Sequence, residues 1–113
     1  YVKDTCRGFL ATAKAENVAG EEINIATDTE ISMQDTLNLI AEIMGADVNW
    51  VKDPERCRPS KSEVFRLHGS NEKICRLTDW RPQYSIREGL KQTIEWFTNP
   101  ENLKKYKSNI YNR

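Results

Sequence analysis

Apolar residues recur along this chain in two rhythms, and the points where one gives way to the other mark its elements. Cys6, Phe9, Leu10 and Ala13 fall at the i, i+3, i+4, i+7 spacing of one helical face, with Asp4 placed to cap it and Gly20 beyond its end. This predicts a first helix to about Glu16. From Glu22 to Thr27 the pattern alternates through the β-branched Ile23 and Ile25, which predicts a strand. Ser32 and Asp35 then resemble a capping box opening a second helix through Met33, Leu37, Ile40, Ala41 and Met44, with Gly45 as its stop and the methionines as core filler.

Val48 to Val51 predicts a short strand through Trp50, which Pro54 forbids from continuing, and Val64 to Leu67 another extended piece. Asn71 is placed to cap a third helix carrying Ile74 and Leu77, broken at Asp79-Trp80-Arg81-Pro82, with Trp80 expected in the core. Ser85 and Glu88 form a second capping box, ahead of Ile86, Leu90, Thr93, Ile94 and Phe97 on one face and Asn99-Pro100 as the stop. One more helical turn is expected in the tail. The order α, β, α, β, β, α, α predicts an α/β or α+β fold.

The 113 residues amount to one domain's worth of chain. Formal charge is zero with 30% charged residues, which leaves no basic field for a nucleic-acid backbone. No run approaches the ~18 apolar residues of a membrane span. Cys6, Cys57 and Cys75 are odd in number and widely spaced, which argues against a disulfide framework or a zinc site and for a reducing, cytoplasmic compartment. The chain begins without methionine inside what reads as an ordered element, so upstream sequence is expected.

Candidate chemistry concentrates in the loop from Asp53 to Val64. Pro54 and Pro59 stiffen it, and Arg56 and Arg58 between them can meet one anion from neighbouring positions, the planar guanidinium fork suiting phosphate. The bland alternative is a solvated loop whose arginines pair with Asp53, Glu55 or Glu63. His68 is the single histidine and is assigned no role; Cys57, between two arginines, has no partner base near in sequence. Neither a Gly-rich phosphate loop nor a Tyr-x-x-x-Lys pair occurs, so no catalytic, cofactor or metal residues are assigned.

Four stretches in sequence carry a resemblance. They are Tyr-Val-Lys-Asp at 1–4 leading into Arg7-Gly8-Phe9, Asn-Ile-Ala-Thr at 24–27 followed by Glu-Ile-Ser at 30–32, Arg-x-Arg-Pro-x-x-Ser-Glu-Val at 56–64, and Asp-Trp-Arg-Pro at 79–82 with Gly-Leu-Lys-Gln-Thr-Ile-Glu-Trp-Phe at 89–97. Together they resemble the C-terminal part of an extended short-chain dehydrogenase/reductase of the nucleotide-sugar epimerase and dehydratase branch. Ser-Glu-Val and the ending Tyr-Lys-Ser-Asn-Ile-Tyr-Asn at 106–112 look most like the UDP-N-acetylglucosamine 4,6-dehydratases. Leu77-Thr78-Asp79-Trp80 departs from the Leu-Gly-Trp often found there.

The resemblance implies that residues 1–26 are the last helix and strand of a Rossmann domain and that 27–113 form a small mixed helix/strand domain binding a nucleotide sugar, UDP-linked by preference. It implies a diphosphate-binding arginine in the loop, with Arg58 the first choice and Arg56 the second, and Glu63 as an acceptor for ribose or sugar hydroxyls. NAD or NADP would be held by the parent enzyme and not by this piece, whose catalytic and cofactor motifs would lie upstream. In the parent, sugar C4 would be oxidised by NAD, water eliminated across C5 and C6, and hydride returned to C6. Such a piece would be inactive alone, and its uncovered apolar surface would drive self-association, by exchange of the first helix and strand in one form of it. The alternative is a stand-alone, non-catalytic α/β interaction domain.

Overall fold

The structure is a computed structural model, and it describes residues 1–51, 64 and 66–106. Five helices form along the described chain: α1 (Val2–Lys14), α2 (Met33–Met44), α3 (Glu72–Leu77), α4 (Ile86–Thr98) and α5 (Pro100–Leu103). The caps read from sequence hold at α2 and at α4. Ser32 Oγ accepts from the Asp35 N–H at 3.0 Å, and Gly45 ends α2 at φ 61°, a left-handed conformation that suits a residue without Cβ. Asn99, read as the stop of the fourth helix, ends α4 and also caps the short α5.

At Ser85 the capping box is complete, with Ser85 Oγ accepting from the Glu88 N–H and the Glu88 carboxylate accepting from Ser85. Glu88 Oε2 takes the Ser85 hydroxyl at 2.7 Å and the Ser85 N–H at 2.8 Å, and these bonds, the hydroxyl's first, hold its pKa below the ordinary 4.5. Folding lowers this pKa, so the contribution is fully present above the ordinary value and is lost as pH falls through the folded one. In an NMR titration the Glu88 side chain is expected to show a midpoint below 4.5, and a midpoint at or above that value would contradict the bond.

Expectations of three kinds are corrected. The first concerns the strands: no strand occurs among the described residues, although Glu22–Thr27, Val48–Val51 and the described part of Val64–Leu67 have the composition for one. A strand is defined by the partner that takes its backbone hydrogen bonds, and these segments have none among the described residues. Ile23 and Ile25 still alternate inward, both half-buried. Segments 26–30 and 66–70 run side by side in opposite directions, joined by side chains: Arg66 Nε to Glu30 Oε1 at 3.3 Å and His68 Nε2 to Asp28 Oδ1 at 3.2 Å. Gly69 allows this approach, since a Cβ there would stand 2.8 Å from Ala26 Cβ.

Second, α1 turns a different face inward. Asp4 and Gly8 are buried and Ala11 half-buried, whereas Cys6, Phe9, Leu10 and Ala13 are exposed, Phe9 at 65%. Asp4 is not the cap either, since Tyr1 occupies that position. A Cβ on Gly8 would meet Ile25 Cγ2 at 2.7 Å, so glycine is what lets α1 approach the 22–26 segment. The helix thus has an inward side of small and polar residues and an outward side of large apolar ones.

Third, the methionines of α2 are outside, Met33 at 76% and Met44 at 54% exposed. Asn71, expected as a side-chain cap of α3, makes no such bond, and Ser70 Oγ accepts from the Glu72 N–H instead. The core among the described residues is small: Ile74 and Trp80 are its buried apolar side chains, the tryptophan where the sequence places it. Around it, Gly89 on α4 lies against Tyr1, and Arg87 pairs with Glu42 at 2.8 Å to tie α4 to α2. α5 folds back so that Trp96, Phe97 and Tyr106 meet edge-to-face, with ring centroids 4.9 to 5.9 Å apart.

Candidate functional site

Arg56, Arg58 and Glu63 lie outside the described residues, as does Cys57. The chain that leads out of their loop is described from Arg66 onward. It is strapped to the 26–30 segment by the Arg66–Glu30 and His68–Asp28 pairs, which gives His68 a structural partner that the sequence did not suggest. Asp28 holds φ 57°, a left-handed conformation that aspartate tolerates better than most residues. The Thr27 and Thr29 hydroxyls lie 2.9 Å apart beside it. They line a small cavity of about 220 Å³ together with Thr5, Ile25, Gly69 and Trp80.

Beneath that cavity lies the most densely bonded residue of the described chain, Asp4. Its carboxylate is almost fully buried and accepts from Arg7 Nη1 at 2.6 Å, from the Gln83 N–H at 3.0 Å and from the Tyr84 N–H at 3.0 Å. Its main-chain carbonyl accepts from Trp80 Nε1 at 3.0 Å. A carboxylate in the first turn of a helix is also favoured by the helix dipole. Helical spacing alone makes Asp4 a cap. The paired Asp-Trp-Arg-Pro and Tyr-Val-Lys-Asp stretches hint at the contact, because Asp4 is what binds the backbone just after Pro82.

Trp80 is fixed from its other side as well. Its N–H donates to Thr78 Oγ1 at 3.0 Å, and Thr78 Oγ1–H donates to the Ile74 carbonyl at 2.8 Å. The departure from Leu-Gly-Trp therefore has a function in the fold: the threonine hydroxyl closes α3 and positions the tryptophan. Lys73 binds Glu21 at 2.7 Å, and this bond, with the Lys73 and then Arg76 charges, holds the Glu21 pKa below its ordinary value.

A second, larger depression of about 770 Å³ runs between α1 and the turn from Cys75 to Arg81. Cys6 and Cys75 are free thiols. No group of three or more metal-ligating side chains forms among the described residues, and no described helix is long and apolar enough to cross a membrane.

Against known proteins, no family model matches this chain and no solved structure matches it. Curated relatives do. Human dTDP-D-glucose 4,6-dehydratase is 34% identical over 114 aligned positions, covering 96% of this chain and 31% of its own length. UDP-N-acetyl-alpha-D-glucosaminuronate decarboxylase of Bacillus cytotoxicus is 32% identical over 104 positions, covering 90% of this chain and 32% of its own length. GDP-6-deoxy-D-mannose reductase of Pseudomonas aeruginosa is 28% identical over 96 positions, covering 84% and 31%. The chain spans about a third of the length of these relatives. Its homologues are thus enzymes of nucleotide sugars, at about 30% identity along nearly the whole chain.

Proposed function

We propose that this chain is the nucleotide-sugar-binding, C-terminal part of a cytoplasmic, NAD(P)-dependent nucleotide-sugar dehydratase or epimerase of the extended short-chain dehydrogenase/reductase type, and that it does not turn over substrate alone. The observation that carries this is the similarity along almost its full length to enzymes three times as long. The outward apolar side of α1 supports it. Phe9 and Leu10, at 65% and 60% exposed, sit on the helix that this reading assigns, with residues up to 26, to the edge of a Rossmann domain.

Arg58, with Arg56 beside it, binds the diphosphate in this proposal, and Glu63 accepts from a sugar or ribose hydroxyl. UDP is the preferred nucleotide on the strength of the Ser-Glu-Val signature, while the relatives' own names span UDP, dTDP and GDP sugars. In the parent, Arg58, Arg56 and Glu63 orient the nucleotide so that the reacting sugar is held at the cofactor, a contribution of positioning rather than of chemistry. Self-association through the uncovered faces belongs to the same proposal.

Sedimentation of the chain with UDP, followed by the absorbance of the nucleotide, tests binding and assembly together. UDP is expected to travel with a species larger than one chain, and Arg58→Ala is expected to weaken its binding about tenfold or more, the loss of a charge-assisted bidentate contact. UDP left behind by the wild-type chain would favour the interaction-domain alternative. Equal binding by Arg58→Ala would remove the arginine from the site, and a single-chain mass at every concentration would remove the self-association.

A further inference from the structure

The groove between α1 and the Cys75–Arg81 turn collects positive charge out of proportion to a chain that is neutral as a whole. Arg7 and Lys14 line it from α1, Arg76 from the last turn of α3 and Arg81 from the segment after it, against one lining carboxylate, Asp79. The charges nearest to these reduce the excess without cancelling it: Asp4 is bonded to Arg7, and Glu21, which feels Arg76, is held chiefly by Lys73. Lys14 and Arg76 are both exposed and make no ion pair among the described residues.

Two of the guanidiniums are held in place by the fold. Arg7 Nη2 donates to the Arg81 carbonyl at 3.3 Å, and Arg81 Nη1 donates to the carbonyls of Thr78 at 3.2 Å and Trp80 at 2.6 Å. Held guanidiniums lose little entropy on meeting a ligand. Between the charges the floor is apolar, through Leu10 and Leu77. A volume of about 770 Å³ is in the range of small-molecule sites, and the depression is an open one with a lining somewhat more polar than apolar.

We infer that this groove is an anion site distinct from the arginine loop, taking a small organophosphate whose apolar body rests on Leu10 and Leu77 while Lys14, Arg76 and Arg81 hold the phosphate. None of its residues lies in the 53–64 loop, and because Leu10 belongs to the α1 face that the proposed function sets against the Rossmann edge, the site is one of this chain with that face uncovered.

The test is a titration of the isotope-labelled chain with phenyl phosphate at constant ionic strength, read by NMR, with inorganic phosphate in a parallel arm. Phenyl phosphate is expected to shift the Trp80 indole N–H and the amides of residues 11–15 and 76–81 saturably, and to bind tighter than inorganic phosphate. The double variant Lys14→Gln/Arg76→Gln is expected to weaken binding about tenfold or more, while Arg58→Ala leaves it unchanged. Both replaced side chains are exposed, and the unliganded Trp80 indole signal reports that the fold survives. Non-saturating shifts, equal affinity for inorganic phosphate, equal affinity of the double variant, or loss on Arg58→Ala would each overturn the assignment.

Discussion

Asp4→Ala is expected to destabilise the folded chain by about 3–5 kcal/mol, the scale of breaking a buried charged contact from one side. The carboxylate is 3% exposed and accepts from two backbone N–H groups and one guanidinium. Removing it leaves the Gln83 and Tyr84 donors without that acceptor and Arg7 charged beside an apolar methyl. An unmade buried hydrogen bond costs more than a made one contributes, so these losses outweigh the small gain in helix propensity that alanine brings. Asp4→Asn keeps one acceptor oxygen and is expected to lose less, about 1–3 kcal/mol. Urea unfolding followed by tryptophan fluorescence measures both. A midpoint for Asp4→Ala within error of wild type would show that water replaces the carboxylate at no cost, and the hub would then be incidental.

Helices were legible in the sequence because the signals that place them are local. Ser32, Gly45, Ser85 and Asn99 act within one turn of their own helix, and each does what its residue type and spacing require. The extended segments form no strand among the described residues for the converse reason. Ile23 and Ile25 alternate inward as a strand's residues do, yet a strand also needs a neighbour to take its backbone bonds, and no local pattern in 22–27 says whether this chain supplies one.

The same limit explains α1. Its residues at 6, 9, 10 and 13 carry the larger apolar side chains, so periodicity chose that face, while the face that packs is built on Gly8 and the Asp4 carboxylate. A helix with something to bury on both sides gives periodicity two answers, and only tertiary contacts select between them. Of the candidate site, the arginine loop is read as chemistry from its residue types alone, and it lies outside the described residues. The hub and the groove were not legible, because Asp4 meets Gln83 and Tyr84, and Arg7 meets Arg81, across more than seventy residues of sequence.

Trp80→Ala is expected to be at least as damaging as the loss of Asp4, about 3–5 kcal/mol from packing, with the indole hydrogen bond lost in addition. Trp80 and Ile74 are the buried apolar side chains of the described chain, so little else is available to close around the space an alanine leaves. Against a total stability on the order of 5–15 kcal/mol, a loss of this size leaves a large unfolded fraction in the smaller case. Trp80→Phe separates the two contributions. It keeps most of the aromatic volume but cannot donate to the Asp4 carbonyl, and it is expected to cost about 1–2 kcal/mol. Combined with Asp4→Asn, which acts on the neighbouring backbone at Gln83 and Tyr84, it is expected to cost less than the sum of the two single changes, because each loosens the joint that the other needs. Far-UV circular dichroism against urea gives all four midpoints. Strict additivity would mean that Asp4 holds the 83–84 backbone and Trp80 fills the core independently; sub-additivity would show that α1, α3 and the turn before α4 are held by one shared contact.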